Sequence, residues 1–371
     1  MIQTELCDLL GIKHPIIQAG MGPFGTNKLS IASANSGILG LISSSGANVR
    51  EKYPEIYKYF VETGGATLED DKRTVLKKIF RQTLEGTKEK QGVFGINVMV
   101  SAEVRKEANE IIDAAIEARE EDPEMKERFR VLVTSAGDPL PWTEKVKAAG
   151  FKWLHVMPSV KAAKRCQKAG VDAVIASGHE GGFHTSWEPI HSMILLPAVV
   201  EELAASGILV IGAGGFCDGK TLAAALTLGA AGAQMGTRFL ATQESDFVPM
   251  WKEGVVRTGD RGTLVARGFV GPARWLKTPA SLKHQENTLK MSPGVFLGRP
   301  DDLDTIPKEL YNNEVAAMNA VYAGDEEKAL LAGGESAQRV NDLPTVEELV
   351  QRILREAEDV IQNLPPRVLR S

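Results

Sequence analysis

The sequence predicts a TIM barrel, in which eight parallel strands are each followed by a helix, with a helical insertion and a mainly helical C-terminal extension. Eight short apolar runs recur up to about residue 240, and segments with helical patterning separate them. The runs are almost continuously apolar, which is typical of parallel strands buried on both faces. The chain has 371 residues, enough for one barrel of roughly 250 residues with additions.

The eight predicted strands follow one another at residues 15–20, 38–43, 93–98, 130–135, 153–157, 173–177, 209–212 and 233–237. Helices predicted between them include Val160–Lys168 and Gly219–Leu228. A doubly wound sheet is the alternative architecture, but it usually has fewer strands and a GxGxxG fingerprint in its first turn. The first turn here, from Gly20 to Pro23, does not continue in that pattern, which favours the barrel.

Two segments fall outside the eight strand–helix units and divide the chain into regions. Residues 50–90 are polar and helix-prone, so we predict a helical insertion there. Residues 246–371 are expected to form a substrate-capping and C-terminal helical region, in which residues 261–263 look like a loop. The barrel itself is assigned to residues 1–49 and 91–245.

The chain ends in a strongly amphipathic helix. Thr345 and Glu348 form a capping box directly after Pro344. The apolar residues of the helix share one face and are Val346, Leu349, Val350, Ile353, Leu354, Ala357, Val360 and Ile361. Such a face packs on the barrel or on a neighbouring subunit, so a homo-oligomer is one expectation.

Composition and charge exclude several functional classes. No apolar run approaches the roughly 20 residues that span a bilayer, and the N-terminus lacks signal-peptide features, so we expect a cytoplasmic protein with no membrane partner. Lys and Arg number 43 against 48 Asp and Glu, a net charge of −5 with no basic cluster, which argues against nucleic acid as a partner. Cys7, Cys166 and Cys217 form no CxxC and no zinc-ligand spacing, so we expect buried thiols. A small-molecule substrate is the expected partner.

Many of the 36 glycines follow predicted strands, where a barrel carries its active site. Glycine permits positive φ angles, and successive glycine N–H groups form a cradle for an anion. Gly212-Ala213-Gly214-Gly215 and Gly236-Thr237 follow the seventh and eighth strands, the usual phosphate site of this fold. The alternative is that these glycines serve tight turns alone.

Two histidines follow the sixth strand, His179 and His184, on either side of Gly181-Gly182. A histidine that titrates near neutral pH at the barrel mouth can accept or donate a proton. Metal binding by His179, Glu180, His184 and His191 is the alternative, but no helix can pass through two glycines to give the HExxH arrangement. The amides of Gln18 and Asn97 end the first and third strands and could contact a heterocycle or close a turn.

Six motifs together resemble the FMN-dependent nitronate monooxygenase family, formerly 2-nitropropane dioxygenases, which also includes the flavin-dependent enoyl-acyl-carrier-protein reductases. They are PIIQAGMG at 15–22, GINV at 95–98, PSVKAAKR at 158–165, GVDAVIASGHEGGFH at 170–184, IGAGGFCDG at 211–219 and QMGTRFLAT at 234–242. The resemblance implies His184 as the catalytic histidine, with His179 secondary. It also implies an FMN site formed by Ala19, Gly20, Met21, Gly22, Asn97, Gly181, Gly182, Ala213, Gly214, Gly215, Gln234, Gly236 and Thr237.

The chain departs from the family pattern at two places. Phe183 stands where a glycine is usual, which could narrow the pocket or shift His184. The passage HVMPSV at 155–160 lacks a lysine that is common in the nitronate-oxidising branch and looks more like the reductase branch. Tyr53 and Tyr57 of the insertion, with Trp251 and Trp275, could cap the pocket and select the substrate.

Two reactions are compatible with this resemblance, and both call for a histidine with a pKa near neutral. The first is oxidation of nitronates or nitroalkanes with O2, using His184. The alternative is reduction of an enoyl thioester of acyl-carrier protein or CoA, with NAD(P)H as reductant and His184 as a proton donor. A non-catalytic flavin-binding protein is the second alternative, because a fold does not fix a function.

Overall fold

The barrel is formed by eight parallel strands in a computed structural model that describes residues 2–23, 25–48, 54–299 and 306–369. The strands are β1 Ile16–Gln18, β2 Gly40–Ser43, β3 Phe94–Met99, β4 Phe129–Ser135, β5 Lys152–Met157, β6 Ala173–Ser177, β8 Leu209–Ala213 and β9 Gly232–Met235. Their order in the sheet is β1-β9-β8-β6-β5-β4-β3-β2. A parallel bridge between Ile17 and Leu39 joins β1 to the start of β2. The eight predicted strands and the barrel are confirmed.

Helices surround the barrel and form most of the C-terminal extension. They are α1 Glu5–Leu10, α2 Asn27–Asn35, α3 Pro54–Thr63, α4 Lys72–Gly86, α5 Arg105–Glu121, α6 Pro123–Arg128, α7 Thr143–Ala148, α8 Val160–Ala169, α9 Ser192–Leu203, α10 Gly219–Thr227, α11 Thr237–Leu240, α12 Pro249–Val256, α13 Pro279–Met291, α14 Gly294–Leu297, α15 Lys308–Ala323 and α16 Val346–Val368. The helices predicted from Val160 and from Gly219 begin at those residues. Helices α3 and α4 lie within residues 50–90, of which 50–53, with Tyr53, lie outside the described residues.

Two apolar layers hold the barrel together. Alternate strand residues such as Leu41, Val133 and Ile175 form the inner cluster, and Leu6 and Leu10 of α1 close it from the N-terminal side. The intervening strand residues pack outward against the helices in a second, larger cluster. Burial on both faces is the reason why most strand residues are apolar. The polar groups are thereby left for the strand ends, where the site lies.

The C-terminal extension contains a β-hairpin that the sequence analysis missed. Strands β10 Thr263–Gly268 and β11 Gly271–Leu276 are antiparallel, and β11 also pairs with β7 Phe183–His184. The signal was present: two residues flanked by glycines, Gly268 to Gly271, separate two apolar stretches. The predicted loop at 261–263 overlaps β10 at its last residue, because that strand begins at Thr263.

Trp251 and Trp275 form part of a separate apolar core in this extension. They are 1% and 0% exposed, so neither side chain has free surface with which to cap a pocket in this structure. Trp275 is itself part of β11, and its ring packs edge-on against Phe183 of β7 at 5.5 Å between centroids.

The final helix α16 has the predicted capping box. The Thr345 side chain accepts from the Glu348 N–H, and the Glu348 carboxylate accepts from the Thr345 N–H. Its predicted apolar face is buried from Val346 to Ala357, while Ile361 remains 44% exposed. The buried part packs on α10, so this face covers the barrel.

Two further properties of the described residues bear on the sequence expectations. In the described ranges, no helix combines the length and the apolar character needed to cross a membrane. Cys7, Cys166 and Cys217 are buried free thiols, as the sequence predicts.

Candidate active site

The ends of β1, β3 and β9 bring together residues far apart in the sequence. A Cβ on Gly20 would lie 2.8 Å from the Asn97 Cβ, so the two residues are in direct contact. A Cβ on Gly236 would lie 3.4 Å from Met21 Sδ and 3.7 Å from Ala19 Cβ. All five residues keep some exposed surface, unlike the strand residues below them. They form one wall of the barrel mouth.

Gly22 continues this wall beside Ser45, whose Cβ and Oγ would both be 2.7 Å from an added Cβ. Gln234, on β9, pairs in register with Ala213 and with Ile17 and remains partly exposed. Ala213 is the last residue of β8 and is buried in the barrel interior. Its carbonyl accepts the Gly178 N–H at 2.9 Å, which ties the β6 and β8 ends together.

The loop after β8 requires glycine at two successive positions. Gly214 and Gly215 have φ angles of 83° and 85°. Residues with a side chain rarely adopt such positive φ angles. A Cβ on Gly214 would also lie 2.6 Å from the Gly178 carbonyl oxygen. Turns built from successive glycines can direct backbone N–H groups toward one side, and such turns bind anions.

The loop after β6 is held by the C-terminal extension. Gly182 packs so closely on Gly333 and Gly334 that an added Cβ would lie 2.6 Å from the Gly334 nitrogen. The Gly334 N–H donates to Thr237 Oγ1 at 2.9 Å. Gly181 is less constrained, because a Cβ added to it would lie 3.4 Å from its nearest neighbour, the Gly178 carbonyl oxygen. The sequence analysis missed Gly333 and Gly334, because they follow no barrel strand and no local pattern links them to residue 182.

Glu180 and His179 are structural parts of this loop. The Glu180 carboxylate accepts from the Ser192 N–H at 3.0 Å and from its hydroxyl at 2.7 Å, which caps α9. The Arg274 guanidinium donates to the His179 carbonyl at 2.9 Å. Burial, together with the nearby Arg274 and His191, lowers the pKa of His179 to about 4.

His184 lies on β7, which packs against the hairpin. It pairs with Ala273 of β11, and its Cε1 would lie 3.2 Å from a Cβ on Gly268 of β10. The residue as a whole is partly exposed, but its Nδ1 is enclosed and has no hydrogen-bond partner among the described residues. The imidazole therefore keeps unused hydrogen-bonding capacity.

The charge next to His184 is that of Arg267. Burial, and then the positive charge of Arg267, lower the pKa of His184 to about 4, well below the neutral value expected from sequence. The Arg267 guanidinium is 4.9 Å from the centre of the Trp187 ring, and the residue is 4% exposed. Sequence reasoning missed Arg267, because it lies on the unpredicted hairpin.

Gln18 does not face the mouth as proposed from sequence. It is fully buried, its Oε1 accepts from the Leu41 N–H at 3.0 Å, and its Nε2 donates to the carbonyls of Ala19 and Leu41. It therefore joins β1 to β2. Asn97, unlike Gln18, is partly exposed and lies beside Gly20. Its backbone carbonyl accepts a hydrogen bond from the Ser44 hydroxyl at 2.8 Å.

The residues present fit a flavin mononucleotide. The positive-φ turn at Gly214 and Gly215 offers backbone amides for a phosphate, and Ala19, Gly20 and Met21 keep exposed surface against which a ring system would lie. The Nδ1 of His184 is an enclosed polar atom that has no hydrogen-bond partner within the described ranges. Among the described residues, no three His, Cys, Asp or Glu side chains are grouped to share a metal ion.

Comparison with known proteins gives consistent matches over most of the chain. The family model for nitronate monooxygenase matches residues 3–356. The (3aS,4S,5R,7aS)-5-hydroxy-7a-methyl-1-oxo-octahydro-1H-indene-4-carboxyl-CoA dehydrogenase of Mycobacterium tuberculosis is 31% identical, over 96% of this chain and 96% of that protein. A probable nitronate monooxygenase of Staphylococcus aureus is 28% identical, over 72% of this chain and 76% of that protein.

Among solved structures, FabK from Thermotoga maritima has a TM-score of 0.76 and 29% identity, with 99% of this chain and 100% of that chain covered. The family model and the relatives named for oxidative reactions show that the chain belongs to the nitronate monooxygenase family and is an oxidoreductase.

Proposed function

We propose that the protein is an FMN-dependent oxidoreductase that oxidises an activated carbon acid, with His184 as the base that accepts the substrate proton. The observation that carries this proposal is the state of the His184 imidazole. Its Nδ1 is enclosed without a partner among the described residues, which leaves Nε2 of this partly exposed residue to meet a substrate, and its pKa is lowered to about 4. Such a histidine is uncharged at neutral pH and has a lone pair for a proton.

The cofactor residues proposed here are those implied by the family resemblance. The Gly214-Gly215 amides, Gly236 and Thr237 would hold the phosphate. Ala19, Gly20, Met21 and Asn97 would lie along the ring system, and Gly22, Gly181, Gly182, Ala213 and Gln234 complete the surroundings. Bound FMN supplies the acceptor for two electrons and the second hydrogen of the substrate.

The protonation state of His184 favours oxidation over reduction. Reduction of an enoyl thioester with NAD(P)H requires an acid that donates a proton, whereas burial and Arg267 disfavour the charged imidazolium. Oxidation requires a base, which the neutral imidazole provides. The charged imidazolium then forms at the same moment as a substrate anion, and the attraction between them offsets the cost of burial.

Arg267 contributes to the same step. Its charge lowers the pKa of His184 and is therefore close enough to act on a substrate bound there. A fixed positive charge in a site with little water stabilises the negative charge that develops on the substrate oxygen atoms. Because Arg267 is 4% exposed, solvent screens this charge only weakly.

An acyl-CoA thioester is the substrate class we propose. The support is the relative named as a carboxyl-CoA dehydrogenase, which matches 96% of this chain, including the hairpin that carries Arg267. The carbon next to a thioester carbonyl is acidic, and its proton would pass to His184. A nitroalkane or nitronate is the second candidate, supported by the family model and by the Staphylococcus aureus relatives.

Anaerobic reduction of the FMN-loaded protein tests this proposal. We expect a saturated acyl-CoA thioester to bleach the flavin absorbance without any nicotinamide. Bleaching by a nitroalkane in place of the thioester would select the second candidate. Bleaching by NADH or NADPH, followed by reoxidation with an enoyl thioester, would contradict the proposed direction, and a protein that binds FMN but reacts with none of these would be a non-catalytic flavoprotein.

A further inference from the structure

We propose that the C-terminal segment from Ala332 to Glu335 completes the FMN phosphate site, because the Gly334 N–H orients the Thr237 hydroxyl as a donor to the phosphate. The inference rests on the proposed function, since it assumes that FMN binds at this mouth. It assigns a binding role to a part of the chain about 100 residues beyond the last barrel strand, which ends at Met235.

The hydrogen-bond capacity of one hydroxyl leads to this inference. A threonine hydroxyl has one proton and two lone pairs. The Gly334 N–H donates to Thr237 Oγ1 at 2.9 Å and so occupies a lone pair. In the described part of the chain, no acceptor receives the hydroxyl proton, and Thr237 is 8% exposed. The proton is therefore directed away from Gly334 and available to an anion.

The segment is held rigidly enough to act in this way. The Trp251 indole N–H donates to the Ala332 carbonyl at 2.8 Å, and the Leu276 N–H donates to the Leu331 carbonyl at 2.8 Å. Both donors belong to the buried core of the extension. The Gly334 nitrogen is thus fixed relative to the hairpin rather than carried by a free loop.

The same segment contacts the other loops of the proposed phosphate site. The Glu335 N–H donates to the Glu180 carbonyl at 2.9 Å, and the Glu335 carboxylate pairs with Arg274 at 3.0 Å. The Glu180 side chain in turn lies 3.6 Å from the position of a Cβ on Gly215. The glycine amides, the β6 loop and Thr237 are therefore connected through residues 333–335.

The charge of Arg274 is already compensated within this network. Its guanidinium pairs with Glu335 and donates to the His179 carbonyl. In the proposed site a phosphate would consequently depend on N–H and O–H donors, so the loss of one donor should be measurable. Hydrogen bonds to charged groups contribute more than neutral ones, which sets an expected loss of about tenfold to hundredfold in affinity.

The experiment compares the binding of FMN with that of riboflavin, which lacks the phosphate, by quenching of flavin fluorescence. In Thr237→Val the donor is absent, and in Gly334→Ala the new Cβ would lie 2.8 Å from the Glu180 oxygen and displace the segment. Both variants should bind FMN about tenfold to hundredfold more weakly and riboflavin as tightly as the wild type. Thr237→Ser should restore FMN binding.

A matched glycine variant and a double variant complete the test. Gly259→Ala places its Cβ in open space and should bind both flavins like the wild type. Gly334→Ala added to Thr237→Val should cause no further loss, because both act on one hydrogen bond. Wild-type FMN affinity in either single variant, or equal weakening of FMN and riboflavin, would overturn the inference. Failure of the wild type to bind either flavin would instead overturn the proposed function.

Discussion

Phe183 departs from the family pattern and adopts a backbone conformation that is strained for a residue with a side chain. Its φ angle is 62°, in the left-handed region that glycine adopts easily, and glycine is the residue usual at this position in the resembled family. The ring contributes in return, because it packs on Trp275 and lies 4.2 Å from the His184 ring centre. The packing of Phe183 therefore helps to set the position of His184.

At residue 183 a glycine variant should be more stable than an alanine variant, the reverse of the usual order of stability. Both Phe183→Gly and Phe183→Ala lose the contact with Trp275, at about 2 kcal/mol. The alanine variant retains the left-handed strain, so we expect the glycine variant to be more stable by about 1 kcal/mol. Urea unfolding measures the difference. Equal stability, or a more stable alanine variant, would show that φ is not positive at this residue.

The pH dependence of the reaction should report the lowered pKa of His184. A base acts when it is unprotonated, so activity is retained while the pH stays above its pKa and is lost as the pH falls through about 4. The measurement is kcat/KM between pH 4 and pH 8 with the substrate that bleaches the flavin. An acidic limb centred near pH 6.5 would mean that His184 titrates like a solvent-exposed histidine.

Glu314 of α15 should make the folding stability depend on pH. It is 0% exposed, both carboxylate oxygens are enclosed without a hydrogen-bond partner among the described residues, and burial raises its pKa well above 4.5. A raised pKa means that the full stability is present below about pH 4.5 and is lost as the pH rises toward and through the folded-state value.

We therefore expect Glu314→Gln to become progressively more stable than the wild type as the pH rises from 5 to 8, by up to about 1.4 kcal/mol per pH unit. Free energies of unfolding in urea at several pH values provide the measurement. Glu309→Gln, an exposed site on the same helix, is the control and should follow the wild type. A constant difference across this range would show that Glu314 has the same pKa in both states.

At the scale of elements, the contact between α10 and α16 anchors the C-terminal extension to the barrel. The Gly219 N–H donates to the Glu356 carboxylate at 2.8 Å. A Cβ on Gly219 would lie 2.4 Å from both the Ala357 nitrogen and the Ile353 oxygen. These are backbone atoms, so no side-chain rotation can relieve the overlap, and the absence of a Cβ sets the spacing of the two helices.

Gly219→Ala should consequently destabilise the protein by about 1–3 kcal/mol, the typical cost of overpacking. Gly259→Ala, with no heavy atom within 4 Å of the added Cβ, should change the stability by less than about 0.5 kcal/mol. Thermal or urea unfolding of both variants distinguishes overlap from a general effect of losing glycine. Unchanged stability in Gly219→Ala would mean that α16 does not dock this closely.

Local patterns were sufficient for the elements but not for contacts between distant segments. Apolar runs and cap residues predicted the barrel strands and α8, α10 and α16, because these signals lie within a few residues. The pairing of His184 with Ala273 and the contact of Gly182 with Gly334 join residues 89 and 152 positions apart. No local periodicity encodes such contacts. The roles of Arg267 and Gly334 were therefore missed, although neighbouring glycines stand out in the sequence.

At the scale of the whole molecule, the proposed site draws on both the barrel and the extension. The barrel supplies the glycine loops and the exposed wall at the β1, β3 and β9 ends. The extension supplies Arg267 beside His184 and Gly334 beside Thr237. The sequence assignment of residues 246–371 as a substrate cap remains a proposal, and these contacts favour a closer role for the extension in positioning catalytic and cofactor-binding groups.

The rate at which substrate bleaches bound FMN under anaerobic stopped-flow conditions tests the central claim most directly. The comparison uses the wild type, His184→Gln and His191→Gln, the last a 54% exposed side chain at the same mouth. We expect His191→Gln to match the wild type. His184→Gln should retain FMN, and its flavin should be bleached at least about a hundredfold more slowly. Bleaching of His184→Gln at the wild-type rate would contradict the assignment of His184 as the base.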